Sequence, residues 1–136
     1  MNSQPVVLYI EDDPQSRTLM QMLLQGRMKL PHVTILENSE DFLEQMAALD
    51  PRPDIIFLDI HMKPIDGFEM LELLRGLDWT AGRPIVALTA SVMNEEVARL
   101  RSAGFNGCLA KPIDLVTFPE TLGRIMDGET IWRIIA

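Results

Sequence analysis

The chain has 136 residues, a formal charge of −8 and one cysteine, Cys108. That length fits a single domain able to bury an adequate core. The lone cysteine excludes an internal disulfide and points to a reducing, cytoplasmic setting. The acidic balance excludes the basic face that direct nucleic-acid binding needs. No apolar run approaches a membrane span, and the start lacks the basic-then-apolar pattern of a secretory signal. A single acidic domain with no effector segment acts through another protein or belongs to a longer one. Its opening at Met1 and its end soon after the last predicted helix favour a natural single-domain chain.

Short β-rich runs alternate with longer helical ones. VVLYI (Val6 to Ile10) is a compact apolar strand running into Glu11, Asp12 and Asp13. Pro14 suits the first turn of a helix capped by Asp13, with Leu19, Met20, Leu23 and Leu24 facing inward. VTIL (Val33 to Leu36) is a second strand, and Asn38 and Ser39 open a helix to about Leu49. IIFL (Ile55 to Leu58) is apolar throughout, as a parallel strand covered on both faces should be, and it terminates at Asp59. A loop with Pro64 and Gly67 leads to a helix carrying Met70, Leu71, Leu73 and Leu74. IVAL (Ile85 to Leu88) ends at Thr89, and a helix from about Asn94 to Ala103 closes at Gly104. A short strand around Cys108 to Ala110 ends at Lys111 and Pro112, and a last helix covers about Thr117 to Met126.

Five strand–helix units imply an α/β fold, a five-stranded parallel sheet with helices on both faces in the flavodoxin-like order 2-1-3-4-5. The domain is expected over residues 1–128, followed by a short apolar tail, 129–136. Charged or hydroxyl residues end strands one, three, four and five, the edge where open α/β sheets bind ligands.

Glu11, Asp12 and Asp59 would repel one another at neighbouring strand ends unless a cation joined them. An all-oxygen set favours a hard ion such as magnesium, which takes one or two carboxylates with waters and a phosphate. Taken alone, the acidic triplet at residues 11–13 reads equally well as a helix cap; the placement of Asp59 moves the reading toward a site. Lys111 there could act as a point charge on a phosphoryl oxygen, and Thr89 supplies a hydroxyl. Together they form a phosphoryl-transfer constellation in which Asp59 attacks phosphorus to give an acyl phosphate.

With these motifs the sequence resembles the response-regulator receiver family over nearly its whole length, from VVLYIEDD through IIFLDIHM, IDG and VALTA to LAKPI. The resemblance implies Asp59 as phospho-acceptor and Asp12 as direct magnesium ligand. It implies Glu11 as the companion acid acting through water, and His61 as the residue whose backbone carbonyl completes the metal shell. Thr89 matches the hydroxyl that moves onto the phosphate, with Ala90 leaving room beside it. Lys111 matches the phosphate-binding lysine, its bond to Pro112 expected cis. The implied phosphodonor is a phosphohistidine on a histidine kinase or phosphotransfer protein. Output would pass to a downstream protein without enzymatic turnover.

Two departures from the family pattern stand out. Members usually carry Tyr or Phe three residues before the lysine, where this chain has Cys108; Phe105 is a candidate substitute. Pro64 falls one place later than is commonest, which predicts a differently shaped loop after Asp59. Two other readings follow from the residues: a degenerate receiver serving as a docking module, motivated by Cys108, and an aspartate-nucleophile phosphatase. The second ranks lower because His61 stands where such enzymes look for another Asp. His32 is read as a surface residue and the nine methionines as core fillers. Trp132, Ile134 and Ile135 in the tail are expected to pack back onto the domain, with a homodimer or partner contact as the alternative.

Overall fold

A computed structural model describes residues 4–90 and 93–133. Strands β1 (Val7–Ile10), β2 (Val33–Leu36), β3 (Ile55–Asp59), β4 (Ile85–Thr89), β5 (Gly107–Ala110) and β6 (Ile131–Arg133) alternate with five helices. These are α1 (Pro14–Gln21), α2 (Phe42–Ala47), α3 (Gly67–Arg75), α4 (Asn94–Ala103) and α5 (Phe118–Met126). A π-helical segment, Met22–Arg27, continues α1. Every strand pair is parallel, in the order β2-β1-β3-β4-β5-β6.

The period of two along each strand divides the core. Val7, Tyr9, Ile55, Phe57, Val86 and Leu88 face one side of the sheet, where they pack on Met20, Leu23 and Leu24 and on Phe118, Leu122 and Ile125 of α5. Leu8, Ile10, Ile56, Leu58, Ile85 and Ala87 face the other, against Phe42 and Met46, Met70 and Leu74, and Leu100. Strands β1, β3 and β4 are buried at every position. With no solvated face they cannot alternate polar and apolar residues, hence the unbroken apolar runs in the sequence.

The sheet has one strand more than the five expected. Ile131–Arg133, within the expected tail, pairs with β5 in the register Gly107↔Ile131, Cys108↔Trp132, Leu109↔Arg133. Gly107 makes this approach close, because a Cβ there would lie 2.7 Å from the Ile131 carbonyl oxygen. Trp132 packs against the core on the α4 side, and the Arg101 guanidinium stands 4.7 Å from the centroid of its ring. The expected packing of the tail onto the domain therefore takes the form of a strand. Ile134 and Ile135 lie outside the described residues.

Helix α2 starts later than its expected opening at Asn38 and Ser39. The buried Ser39 hydroxyl donates to the Ile65 carbonyl at 2.7 Å and accepts from the Ile65 N–H at 2.9 Å. Asn38 Oδ1 accepts the Glu40 N–H at 2.9 Å. Both side chains are thus committed to a turn and to the loop after β3, and neither caps the helix. That loop contains a cis Lys63–Pro64 bond, and the Lys111–Pro112 bond is cis as expected.

Two tests address this packing. A Cβ on Gly67 would sit 2.6 Å from the Ile60 Cα, so α3 starts directly against the chain leaving β3. Gly67→Ala should lower the urea-unfolding free energy by about 1–3 kcal/mol, the cost of overpacking at an unyielding site. Cys108 is fully buried in the core, and burial, with the charge of Glu96 adding to it, pushes its thiol from 9.0 up to about 11. Its folded value lies above its unfolded one, so its contribution is intact below pH 9 and lost as pH rises toward 11. The loss should reach about 2–3 kcal/mol. Unfolding of wild type and Cys108→Ala on both sides of that window should show the steeper alkaline decline in wild type.

Candidate functional site

Parallel pairing aligns the C-terminal ends of β1, β3, β4 and β5 on one edge, and each end delivers a polar group. Beyond Ile10 the chain presents Glu11 and Asp12. Strand β3 ends in Asp59, β4 in Thr89, and β5 is followed by Lys111. The register places Asp59 opposite Leu88 and Thr89 opposite Ala110, so these residues share a few ångströms of sheet edge. The Lys111 N–H donates to the Thr89 carbonyl at 2.9 Å, which ties the two strand ends together.

Lys111 is the hub. Its ammonium donates to both oxygens of Glu11, at 2.9 and 3.0 Å, and to Asp59 Oδ2 at 3.2 Å. Glu11 is fully buried and Asp59 nearly so, whereas Lys111 retains partial exposure. Burial lowers the proton affinity of Lys111, but the bonds and charges of Glu11 and Asp59 outweigh it, and the ammonium is held more firmly than usual. Burial and the neighbouring Asp59 raise the Glu11 carboxyl; hydrogen bonds from Tyr9 and Lys111 pull it back without cancelling the rise.

The remaining bonds fix these groups in place. Asp59 Oδ1 accepts the His61 N–H at 3.0 Å. Glu11 Oε2 accepts the Asp13 N–H at 3.2 Å, and the Glu11 carbonyl accepts from Arg17 Nη1 at 3.0 Å. Asp13 caps α1 as expected, accepting from the Ser16 N–H at 3.0 Å and the Ser16 hydroxyl at 2.7 Å; these bonds lower its carboxyl's titration. Carboxylate oxygens of Glu11, Asp12 and Asp59 lie within 4.8 Å of one another, with Asp12 exposed and its companions buried. An all-oxygen cluster of this kind suits a hard divalent cation.

All six residues singled out in the sequence thus meet at one edge: Glu11, Asp12, Asp59, His61, Thr89 and Lys111. His61 does so through its backbone, its ring being exposed. His32 is exposed, as expected. Phe105, the candidate aromatic substitute, is buried edge-on to Phe68 of α3, ring centroids 5.9 Å apart.

Sequence reasoning missed Tyr9. Its hydroxyl donates to Glu11 Oε1 at 2.7 Å, so every Glu11 oxygen is engaged inside the protein. Burial and this bond push the phenol's ionisation well above its usual range. The signal was present in the spacing: residues i and i+2 of a strand share a face, so a tyrosine two positions before a buried acid can reach it.

Comparison with known proteins agrees with this geometry. The family model described as "Response regulator receiver domain" matches residues 7–122. An uncharacterized 14.6 kDa protein of Leptolyngbya boryana is 30% identical over 112 residues, covering 82% of each chain. The signal transduction histidine-protein kinase BarA of Escherichia coli K12 is 29% identical over 125 residues; the match spans 92% of this chain and 13% of BarA. Among solved structures, the chemotaxis response regulator CheY4 of Vibrio cholerae superposes with a TM-score of 0.78 at 25% identity, covering 90% of this chain and 98% of that one. The chain belongs to the response regulator receiver domain family.

Proposed function

We propose that this receiver accepts a phosphoryl group on Asp59 from a phosphohistidine protein, in a magnesium-dependent step, and signals by protein–protein contact. The observation that carries this reading is the Lys111 ammonium, shared at 2.9–3.2 Å between Glu11 and the Asp59 carboxylate. An oxygen of Asp59 forms a bond to phosphorus as the bond from phosphorus to the donor's imidazole nitrogen breaks. The electron pair of the broken bond stays on that nitrogen. Lys111 supports the charge on the transferring oxygens from one side, and the hydroxyl of Thr89, at the end of β4, would donate to them. Glu11, Asp12 and Asp59, with the backbone carbonyl of His61, would hold magnesium. Bound there, the ion neutralises phosphoryl charge that three carboxylates would otherwise repel.

The partners are a histidine kinase or phosphotransfer protein upstream and another protein downstream, in the cytoplasm. The module turns over no substrate beyond gaining and losing its own phosphoryl group. Docking without phosphorylation is the second reading, favoured by Cys108 at the position where the family pattern usually has an aromatic. Magnesium titration separates the two, because a degenerate site binds little of the ion.

Incubation with acetyl phosphate, with and without magnesium, followed by intact mass is the decisive measurement. One phosphoryl adduct is expected only with magnesium, and none in Asp59→Asn. Absence of the adduct, or its persistence at the same site in Asp59→Asn, removes the proposal.

A further inference from the structure

The phosphoryl site needs a route to the surface, and position 108 holds a small buried thiol with little to move. The structure places an aromatic beside it from the next strand. Cys108 and Trp132 are register partners on β5 and β6, and partners in a parallel pair present their side chains to the same face. Both belong to the core on the α4 side of the sheet. The ring of Trp132 is half-buried, and Arg101 of α4 stands over it at 4.7 Å. Helix α4 and strand β6 are therefore joined by a side-chain stack that a small displacement can open.

The β6 side of this stack leads back to the site. Lys111 follows β5 directly, and β5 is the strand on which β6 rests. Thr89 ends β4, the strand paired with β5 on its other side. The Thr89 carbonyl and the Lys111 N–H are bonded at 2.9 Å, so the ends of β4 and β5 are tied at the site. A phosphoryl group on Asp59 changes what Lys111 must satisfy. Its ammonium now divides Glu11 and Asp59; a dianionic phosphoryl group offers it stronger acceptors. Drawing Lys111 toward that group moves the end of β5, and with it β6, relative to α4. The Arg101–Trp132 stack spans the two.

We propose that β6 is the readout element of this receiver: phosphorylation of Asp59 opens the Arg101–Trp132 stack, and Trp132 does the work of the aromatic absent at position 108. The inference rests on the phospho-acceptor reading above and adds its regulation. It describes a two-state element biased by a local change of charge.

The test uses the full chain with Trp79→Phe, which leaves Trp132 as the only tryptophan. Acetyl phosphate and magnesium are added while emission and intact mass are followed on the same sample. Trp132 emission should move to longer wavelength in proportion to the adduct, and stay fixed when Asp59→Asn is added. Arg101→Ala should show the red-shifted emission before any phosphodonor is present. Gly107→Ala, which pushes on the Ile131 carbonyl, should form the adduct while its emission no longer responds. Should Trp79→Phe fold poorly, the difference between wild type and Trp132→Phe isolates the same signal. A full adduct with unchanged Trp132 emission overturns the readout and leaves the phospho-acceptor intact. No adduct at all overturns the phospho-acceptor reading, and this inference with it.

Discussion

The ammonium of Lys111 holds together two carboxylates, Glu11 and Asp59, that the fold buries side by side. Burying one carboxylate is costly, and burying two within reach of each other costs more unless a cation intervenes. The rest of the site follows from that constraint. Tyr9 and the Asp13 N–H complete the shell of Glu11, and the His61 N–H occupies the second oxygen of Asp59. With these partners no buried side-chain nitrogen or oxygen among the described residues lacks a hydrogen bond.

Such an arrangement is poor value as a stabilising device. Buried ion pairs recover their desolvation cost only with near-ideal geometry, and apolar residues of similar volume often do as well or better. Around the cluster, β1, β3 and β4 are buried at every position and show that this sheet can fill itself with Ile, Leu, Val and Phe. The charges break that rule only at the C-terminal edge, and they sit at the ends of strands that are not all consecutive in sequence. An exception confined to the ligand-binding edge reads as function imposed on the fold.

The sheet and most of this edge were legible in the sequence because their signals are local and periodic. Unbroken apolar runs named the central strands, and the residue ending each run named the site. What escaped depended on contacts between distant segments. Ser39 looked like a helix opening, yet its hydroxyl bonds with Ile65, 26 residues away. Tyr9 passed as one more apolar strand residue because its ring is apolar and only its hydroxyl is committed. Ile131–Arg133 is too short to announce a strand, and the adjacent Gly107 acquires meaning only when β6 lies against it.

The added strand changes how the edge of the sheet should be understood. Had β5 been outermost, its backbone groups would face solvent or a partner. With β6 in place that edge is covered, and the exposed boundary becomes a short strand whose Ile131 packs on one face of the core and whose Trp132, under the Arg101 guanidinium, packs on the other. A strand this short has few ladder bonds to lose, so its attachment depends on the side chains beside it. The strand beneath it leads directly to Lys111, whose ammonium bonds both Glu11 and Asp59. The short outer strand is therefore joined to the Lys111 cluster by a single strand, β5. The core beneath has no comparable freedom, since its side chains are closely packed on both faces.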